Sequence, residues 1–319
     1  MSRTLLDPEE FEFQAMDYEQ LLPSGRAVVD RLWQVLGGVA RAVGLPDNRI
    51  DSGDAKDPIE PAEKQVRISA MTAQQPIWTD NAGRHAIATS FGPVPLVMAE
   101  PAGASNGTVL LVHGRNGAPG QPQIAEIAEA YLALGWRVVA PELPHSIALP
   151  DSGPSDRVTF SGHTQAAAEV WAWVCQQWPD ERRALAGHSI GAFAIAHLAA
   201  ASPEVHHVLA VSPPLSGRVL LSAREAMGPA AIEAVMHEAP LYYAEMPTAD
   251  AAPALARTQA ALAVVTGAAD GLVRLDDARA YFNAAPNGRF FAALPDEHHC
   301  PAGAACGRML SAALSALGA

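Results

Sequence analysis

Cysteine, basic charge and long apolar runs are all scarce in this 319-residue chain. Three cysteines cannot build the disulfide framework of a small secreted scaffold. Cys175 falls in a helical pattern and reads as a small buried hydrophobe. Cys300 and Cys306 are close enough in sequence to bridge a short loop, but a reducing compartment disfavours it. No His and Cys spacing resembles a zinc site, so no metal is expected. Lys and Arg number 21 against 34 Asp and Glu, for a formal charge of -13. That balance disfavours nucleic acid and anionic membrane as partners. No apolar run approaches membrane-spanning length, and Met1 to Glu10 lacks the basic-then-apolar order of a signal segment. The expectation is a soluble, cytoplasmic protein. With 49% hydrophobic and 17% charged residues, the composition is that of a packed globule. The length suits one large domain with an appendage.

What the chain does have is concentrated in four places. The first is Gly187-His188-Ser189-Ile190-Gly191, after the apolar run Ala184-Leu185-Ala186 and before the helical pattern Ala192 to Ala196. A serine between two glycines at a strand-to-helix turn is the pattern of a nucleophile elbow. So sharp a turn holds the serine at a strained backbone angle and leaves no room for side chains two residues away on either side. The hydroxyl then projects from the carboxyl edge of the sheet, towards which the helix points its N-terminus. An ordinary glycine-rich turn with an unreactive serine is the plain alternative.

The second place is Thr108-Val109-Leu110-Leu111-Val112, apolar without alternation and so a fully buried strand, running into His113-Gly114-Arg115-Asn116-Gly117. The third is the strand Ala261 to Thr266, leading to Gly267-Ala268-Ala269-Asp270-Gly271-Leu272-Val273. Asp270 competes with the reading of a surface Asp-Gly turn. Asp276 and Asp277 compete with it too, but they open a helical pattern, where acids favour the N-terminus. The fourth is the strand Arg289 to Leu294, followed by Pro295-Asp296-Glu297-His298-His299-Cys300.

These four pieces, each at a strand end and in this order, resemble the α/β hydrolases over residues 90 to 319. The resemblance implies an α/β fold with a mostly parallel sheet and helices on both faces. It implies Ser189 as nucleophile, Asp270 as acid and His299 as base. The adjacent histidines make the base ambiguous. His299 fits better, because that family has a small or apolar residue after its histidine, the place taken here by Cys300. Backbone N–H groups of Arg115 and Ile190 are implied as the oxyanion hole, since attack on an acyl carbonyl places negative charge on oxygen. His113, Asn116, His188, Tyr242 and Tyr243 are candidate substrate-side residues, with His113 also readable as a loop brace. The Arg115 side chain has two readings, a partner for a substrate carboxylate or a solvent-facing group, and the second is favoured.

The implied activity is that of a serine hydrolase acting on a carboxylic ester or related acyl bond of a small molecule, without a cofactor. Amidase, thioesterase, carbon–carbon bond hydrolase and perhydrolase chemistry fit the same triad, and a non-catalytic binding protein on this scaffold is a rival of another class. A serine at the elbow disfavours dehalogenase and epoxide hydrolase relatives.

Around these motifs, residues 1–62 read as an accessory segment. Its apolar positions Val28, Val29, Leu32, Trp33, Leu36 and Val39 recur at helical spacing, a stripe that suits packing on the main domain or a homodimer. A first strand is expected near Val66 to Ile68 and another over 94–99. Helices are expected over 121–134, 163–178 and 190–201, and strands over 136–140, 183–187 and 206–211. Residues 63–319 form the main domain, interrupted over 213–257 by a cap whose apolar side chains suit an acyl or aromatic pocket. Most of those side chains are expected to bury the cap's own core. The irregular stretch 142–162 is expected on the opposite rim, with His145 and His163 structural.

Overall fold

A computed structural model describes residues 78–319; the expected N-terminal helix, the linker and the strand near Val66 lie outside the described residues. Eight strands form one sheet: β1 (Gly83–Thr89), β2 (Gly92–Ala99), β3 (Thr108–Val112), β4 (Arg137–Pro141), β5 (Arg183–His188), β6 (His207–Val211), β7 (Ala261–Gly267) and β8 (Gly288–Leu294). Their order across the sheet is β1-β2-β4-β3-β5-β6-β7-β8. β1 and β2 are antiparallel, as are β2 and β4, and every later pairing is parallel.

Parallel strands need crossovers, and the helices supply them. They are α1 (Pro122–Ala133), α2 (Phe160–Gln177), α3 (Ile190–Ala201), α4 (Gly217–Met227), α5 (Pro229–Glu238), α6 (Pro240–Glu245), α7 (Ala252–Leu255), α8 (Leu275–Ala284) and α9 (Gly303–Leu317). Alternate residues of the strands feed two cores. Leu110 and Val112 of β3 pack on one face with Val170 of α2, Ile195 of α3 and Tyr281 of α8. Val109 and Leu111 pack on the other with Ile127 of α1 and Leu314 of α9. Because both faces are covered, β3 and β6 are buried along their whole lengths. This explains why they read as apolar runs without alternation after Thr108 and His207.

The sequence pattern misses β1. That strand lies at the sheet edge, is mostly exposed, and carries Gly, Arg and His where a buried strand would alternate. Its hairpin turn is held from outside: Ser90 N–H donates to Glu169 Oε2 at 2.7 Å, and the Ser90 hydroxyl donates to Glu169 Oε1.

The break in the β-α rhythm is four helices, α4 to α7, between β6 and β7. Its neck is pinned by the antiparallel bridge between Ser216 and Asp250 and by two flanking backbone bonds of 2.9 Å. Gly217 is required there, because a Cβ would lie 2.5 Å from the carbonyl oxygen of Met246. Leu220, Val235, Tyr242 and Met246 are buried, whereas Met227, Met236 and Leu241 are exposed.

Candidate active site

The turn after β5 fits its sequence. Ser189 has φ 56° and ψ -126°, in the left-handed range that side chains rarely adopt. A Cβ on Gly187 would lie 2.6 Å from the carbonyl carbon of Gly191. A Cβ on Gly191 would lie 2.1 Å from the carbonyl oxygen of Val112. Only glycine lets β5, α3 and the end of β3 approach this closely.

The loop after β8 reaches the same point. His299 Nε2 lies 2.9 Å from Ser189 Oγ, across 110 residues of chain. His299 Nδ1 lies 2.8 Å from Asp270 Oδ2. The other oxygen of Asp270 accepts from the N–H groups of Leu272 and Val273, at 2.8 and 2.9 Å. The Asp270 side chain is fully buried, while His299 keeps some exposure. Two backbone donors and the imidazole therefore replace the water that the buried carboxylate has lost. Gly267 lets the two loops meet, since a Cβ would lie 2.1 Å from the carbonyl oxygen of Glu297. His298 turns away, with Nδ1 2.9 Å from the Ala269 carbonyl oxygen. Of the two histidines, the geometry brings His299 to the hydroxyl.

Opposite the imidazole stands the loop after β3. A Cβ on Gly114 would come within 3.1 Å of Ser189 Cβ, so this loop lies against the serine. Neither Arg115 N–H nor Ile190 N–H is donated to another group among the described residues. Two free donors beside a hydroxyl held by an imidazole can take up charge on a carbonyl oxygen.

The remaining candidate residues fall into two groups. His113 and His188 belong to the scaffold. His113 Nε2 accepts the Leu143 N–H at 3.0 Å and its Nδ1 faces the Gly114 carbonyl oxygen at 2.7 Å, so no ring nitrogen is left for a substrate. His163 supports the same loop from below, with Nε2 2.9 Å from the His113 carbonyl oxygen. His188 is buried, and its Nε2 lies 2.8 Å from the carbonyl oxygen of His299.

Arg115, Asn116, Tyr242 and Tyr243 lie towards the helical insertion. The Arg115 side chain is 14% exposed and pairs with Glu238 of α5 at 2.5 Å, which corrects the expected solvent-facing orientation. The ion pair and the ring of Tyr242, 5.3 Å from the guanidinium carbon, hold it. Asn116 donates to the same Glu238 oxygen at 3.1 Å. Tyr242 is buried and stacked on Phe160 at 4.4 Å, while Tyr243 is half-buried. Glu238 carries no signal in the sequence, because its partners lie 123 and 122 residues away. Cys175, Cys300 and Cys306 are free thiols.

Comparison with known proteins matches this arrangement of strands. A family model described as the alpha/beta hydrolase fold covers residues 107–254. The solved structure of Est1E from Butyrivibrio proteoclasticus superposes with a TM-score of 0.60 at 14% identity, over 74% of this chain and 100% of that one. The esterase Pf2001 of Pyrococcus furiosus gives 0.53 at 18% identity, over 69% and 84%. An alpha-beta serine hydrolase homologue from Coxiella burnetii gives 0.50 at 18%, over 74% and 95%. The chain has the α/β-hydrolase fold. No curated protein sequence matches it. Asp270 and His299 lie beyond the segment that the family model covers, so their place rests on geometry. Among the described residues, no helix is long and apolar enough to cross a membrane, and no His, Cys, Asp and Glu cluster suits a metal ion.

The protein holds four histidines neutral by burial. Desolvation lowers His113 to about 4 and lowers His163, His188 and His207 to about 3. An unfolded imidazole takes its proton near pH 6.5. Between those values the unfolded chain binds more protons than the folded one, so stability falls as pH falls. Each histidine contributes a slope of up to about 1.4 kcal/mol per pH unit. The melting temperature is therefore expected to drop steeply from pH 6.5 to pH 5. A flat profile in calorimetry over that range contradicts neutral burial of these rings.

Proposed function

We propose that this hydrolase cleaves a carboxylic ester of a small molecule through an acyl-enzyme on Ser189. One observation carries the reading: the continuous chain from Asp270 through His299 to Ser189, at 2.8 and 2.9 Å. In the proposed sequence, His299 Nε2 takes the serine proton as Oγ attacks the acyl carbon. The carbonyl electron pair moves onto oxygen, where the N–H groups of Arg115 and Ile190 receive it. Asp270 keeps the Nδ1 proton in place and stabilises the imidazolium. His299 then gives its proton to the leaving alcohol. Water enters and attacks the acyl carbon while the same imidazole takes one of its protons; His299 then returns that proton to Ser189 Oγ as the acyl–oxygen bond breaks and the acid leaves. All these steps use protein groups, and none calls for a metal or organic cofactor.

An ester is the first choice of bond because the neighbours named above include an esterase, and Est1E has also been solved with ferulic acid bound. The helices α4 to α7 are read as a cap. Their exposed Met227 supports this, since its Cε lies 3.7 Å from where a Cβ would stand on Gly271, next to the acid. The small-molecule partner and a cytoplasmic setting belong to the same proposal. A panel of p-nitrophenyl esters of increasing acyl length, run beside matched amides and thioesters, tests it. Ester turnover at the highest kcat/KM is expected. Faster cleavage of the amides or thioesters at equal acyl length overturns the choice of bond.

His188 adds a positioning role. Its ring lies 5.2 Å from that of His299 and its Nε2 bonds the His299 backbone. One hydrogen bond of this kind contributes about 1 kcal/mol. His188→Phe is expected to lower kcat about tenfold, with KM changed less than twofold. An unchanged kcat in steady-state kinetics contradicts the role.

A further inference from the structure

The loop that carries the Arg115 N–H is a tight turn. Gly117 N–H donates to the Gly114 carbonyl oxygen at 3.0 Å, which places Arg115 and Asn116 at the two corners. His113 Nδ1 reaches the same carbonyl oxygen at 2.7 Å. A peptide unit is planar and trans, so a Gly114 carbonyl held on one side turns the Arg115 N–H to the other. The base of the turn is fixed as well. The Ser146 hydroxyl, which is buried, donates to the Gly117 carbonyl oxygen at 2.7 Å.

The tip of the turn is held from the helical insertion. Glu238, the last residue of α5, accepts at Oε1 from Arg115 Nη1 at 2.5 Å and from Asn116 Nδ2 at 3.1 Å. One carboxylate oxygen thus takes both corner side chains. Tyr242 backs the guanidinium at 5.3 Å and is itself stacked on Phe160 of α2. The turn cannot rock towards or away from the serine without stretching both bonds. That constraint matters, because a Cβ on Gly114 would come within 3.1 Å of Ser189 Cβ. A donor serves charge on oxygen only when it is already aimed, and a charged acceptor makes the firmer tether. A second carboxylate ties the insertion to the core elsewhere. Glu245 of α6 accepts from the Ser161 N–H at 3.0 Å and from the Ser161 hydroxyl, at the start of α2.

We propose that Glu238 is a positioning residue, which aims the Arg115 turn from the insertion and so sets the oxyanion donor against the carbonyl that Ser189 attacks. The inference deepens the ester reading and rests on it. The test combines turnover of p-nitrophenyl butyrate with inhibition by n-propyl trifluoromethyl ketone, whose chain matches the butyrate. On the ketone, Ser189 Oγ bonds to the carbonyl carbon, its proton passes to His299, and the carbonyl electron pair moves onto oxygen. Ketone affinity therefore reads the oxyanion donors with no leaving group involved.

Glu238→Ala is expected to lower kcat and weaken the ketone by about tenfold to a hundredfold, with KM changed less than about twofold. Glu238→Gln keeps an accepting oxygen without the charge. It is expected to lose about threefold to tenfold in both, and it decides the matter if Glu238→Ala does not fold. Arg115→Met should lose as much as Glu238→Ala, and the double variant no more, because the two side chains act as one. Glu245→Ala is the control for a loosened insertion, and its kcat should stay within about twofold of wild type. Unchanged kcat and ketone affinity, a rise in KM alone, additive losses with Arg115→Met, or an equal loss in Glu245→Ala overturns the inference and leaves the Ser189 reading standing. Folded wild-type enzyme that neither hydrolyses the ester nor binds the ketone overturns both.

Discussion

Ser189→Ala is expected to lower ester turnover by about 10⁴- to 10⁶-fold, to whatever the oxyanion donors and binding supply alone. The reason is local. Among the described residues, the hydroxyl is the one group at the bend that an imidazole holds, at 2.9 Å. Cys300, the nearest chemical rival in sequence, follows His299 in a loop and lacks the strand, bend and helix that present Ser189. The substitution removes one oxygen and keeps the Cβ, so the backbone stays in the same left-handed conformation. The melting temperature should therefore shift by no more than about 3 °C. Kinetics and calorimetry on the same sample check the pair of expectations. A large loss of stability would mean that the kinetic loss reports unfolding.

Asp270→Asn carries the second largest effect, a fall in kcat of about 10³- to 10⁴-fold. One carboxylate oxygen already accepts from two backbone N–H groups, and the amide oxygen of asparagine would keep that place. The amide nitrogen would then face His299 Nδ1, where the carboxylate oxygen stood at 2.8 Å. Two donors cannot face each other, so the imidazole would move its proton to Nε2. In that tautomer it presents a proton to Ser189 and can no longer take one. Asp277→Asn is the control, because Asp277 sits in the first turn of α8 and faces Arg274 at 3.5 Å. Its activity should stay within about twofold of wild type. An equal loss in both variants would remove the special role of Asp270.

How much of this was legible in the sequence depended on burial. β3, β5, β6 and β7 announce themselves because a sheet covered on both faces favours near-continuous apolar runs, such as Val109 to Val112 and Val208 to Val211. β1 does not, since an exposed edge strand tolerates Arg84 and His85. The elbow was legible for a steric reason, its two glycines being the residues that the crossing backbones require. The meeting of Ser189 with His299 was not legible from spacing, because a loop 110 residues away delivers the imidazole; family resemblance suggested it. The same distance effect hid Glu238 and turned the Arg115 side chain away from its expected direction. Tyr242 was one of the candidate substrate-side residues, in a segment whose apolar side chains were mostly expected to bury the cap's own core. Its ring is packed against Phe160, and burial raises the phenol to about 12.

A fluorophosphonate probe asks the central question in a single experiment: whether the hydroxyl at the bend is a nucleophile. After labelling of the folded protein and proteolysis, mass spectrometry should find one adduct, on the peptide containing Ser189. The adduct should be missing from Ser189→Ala and form far more slowly in His299→Ala. A folded protein that stays unlabelled, or carries its adduct on another residue, would contradict the account.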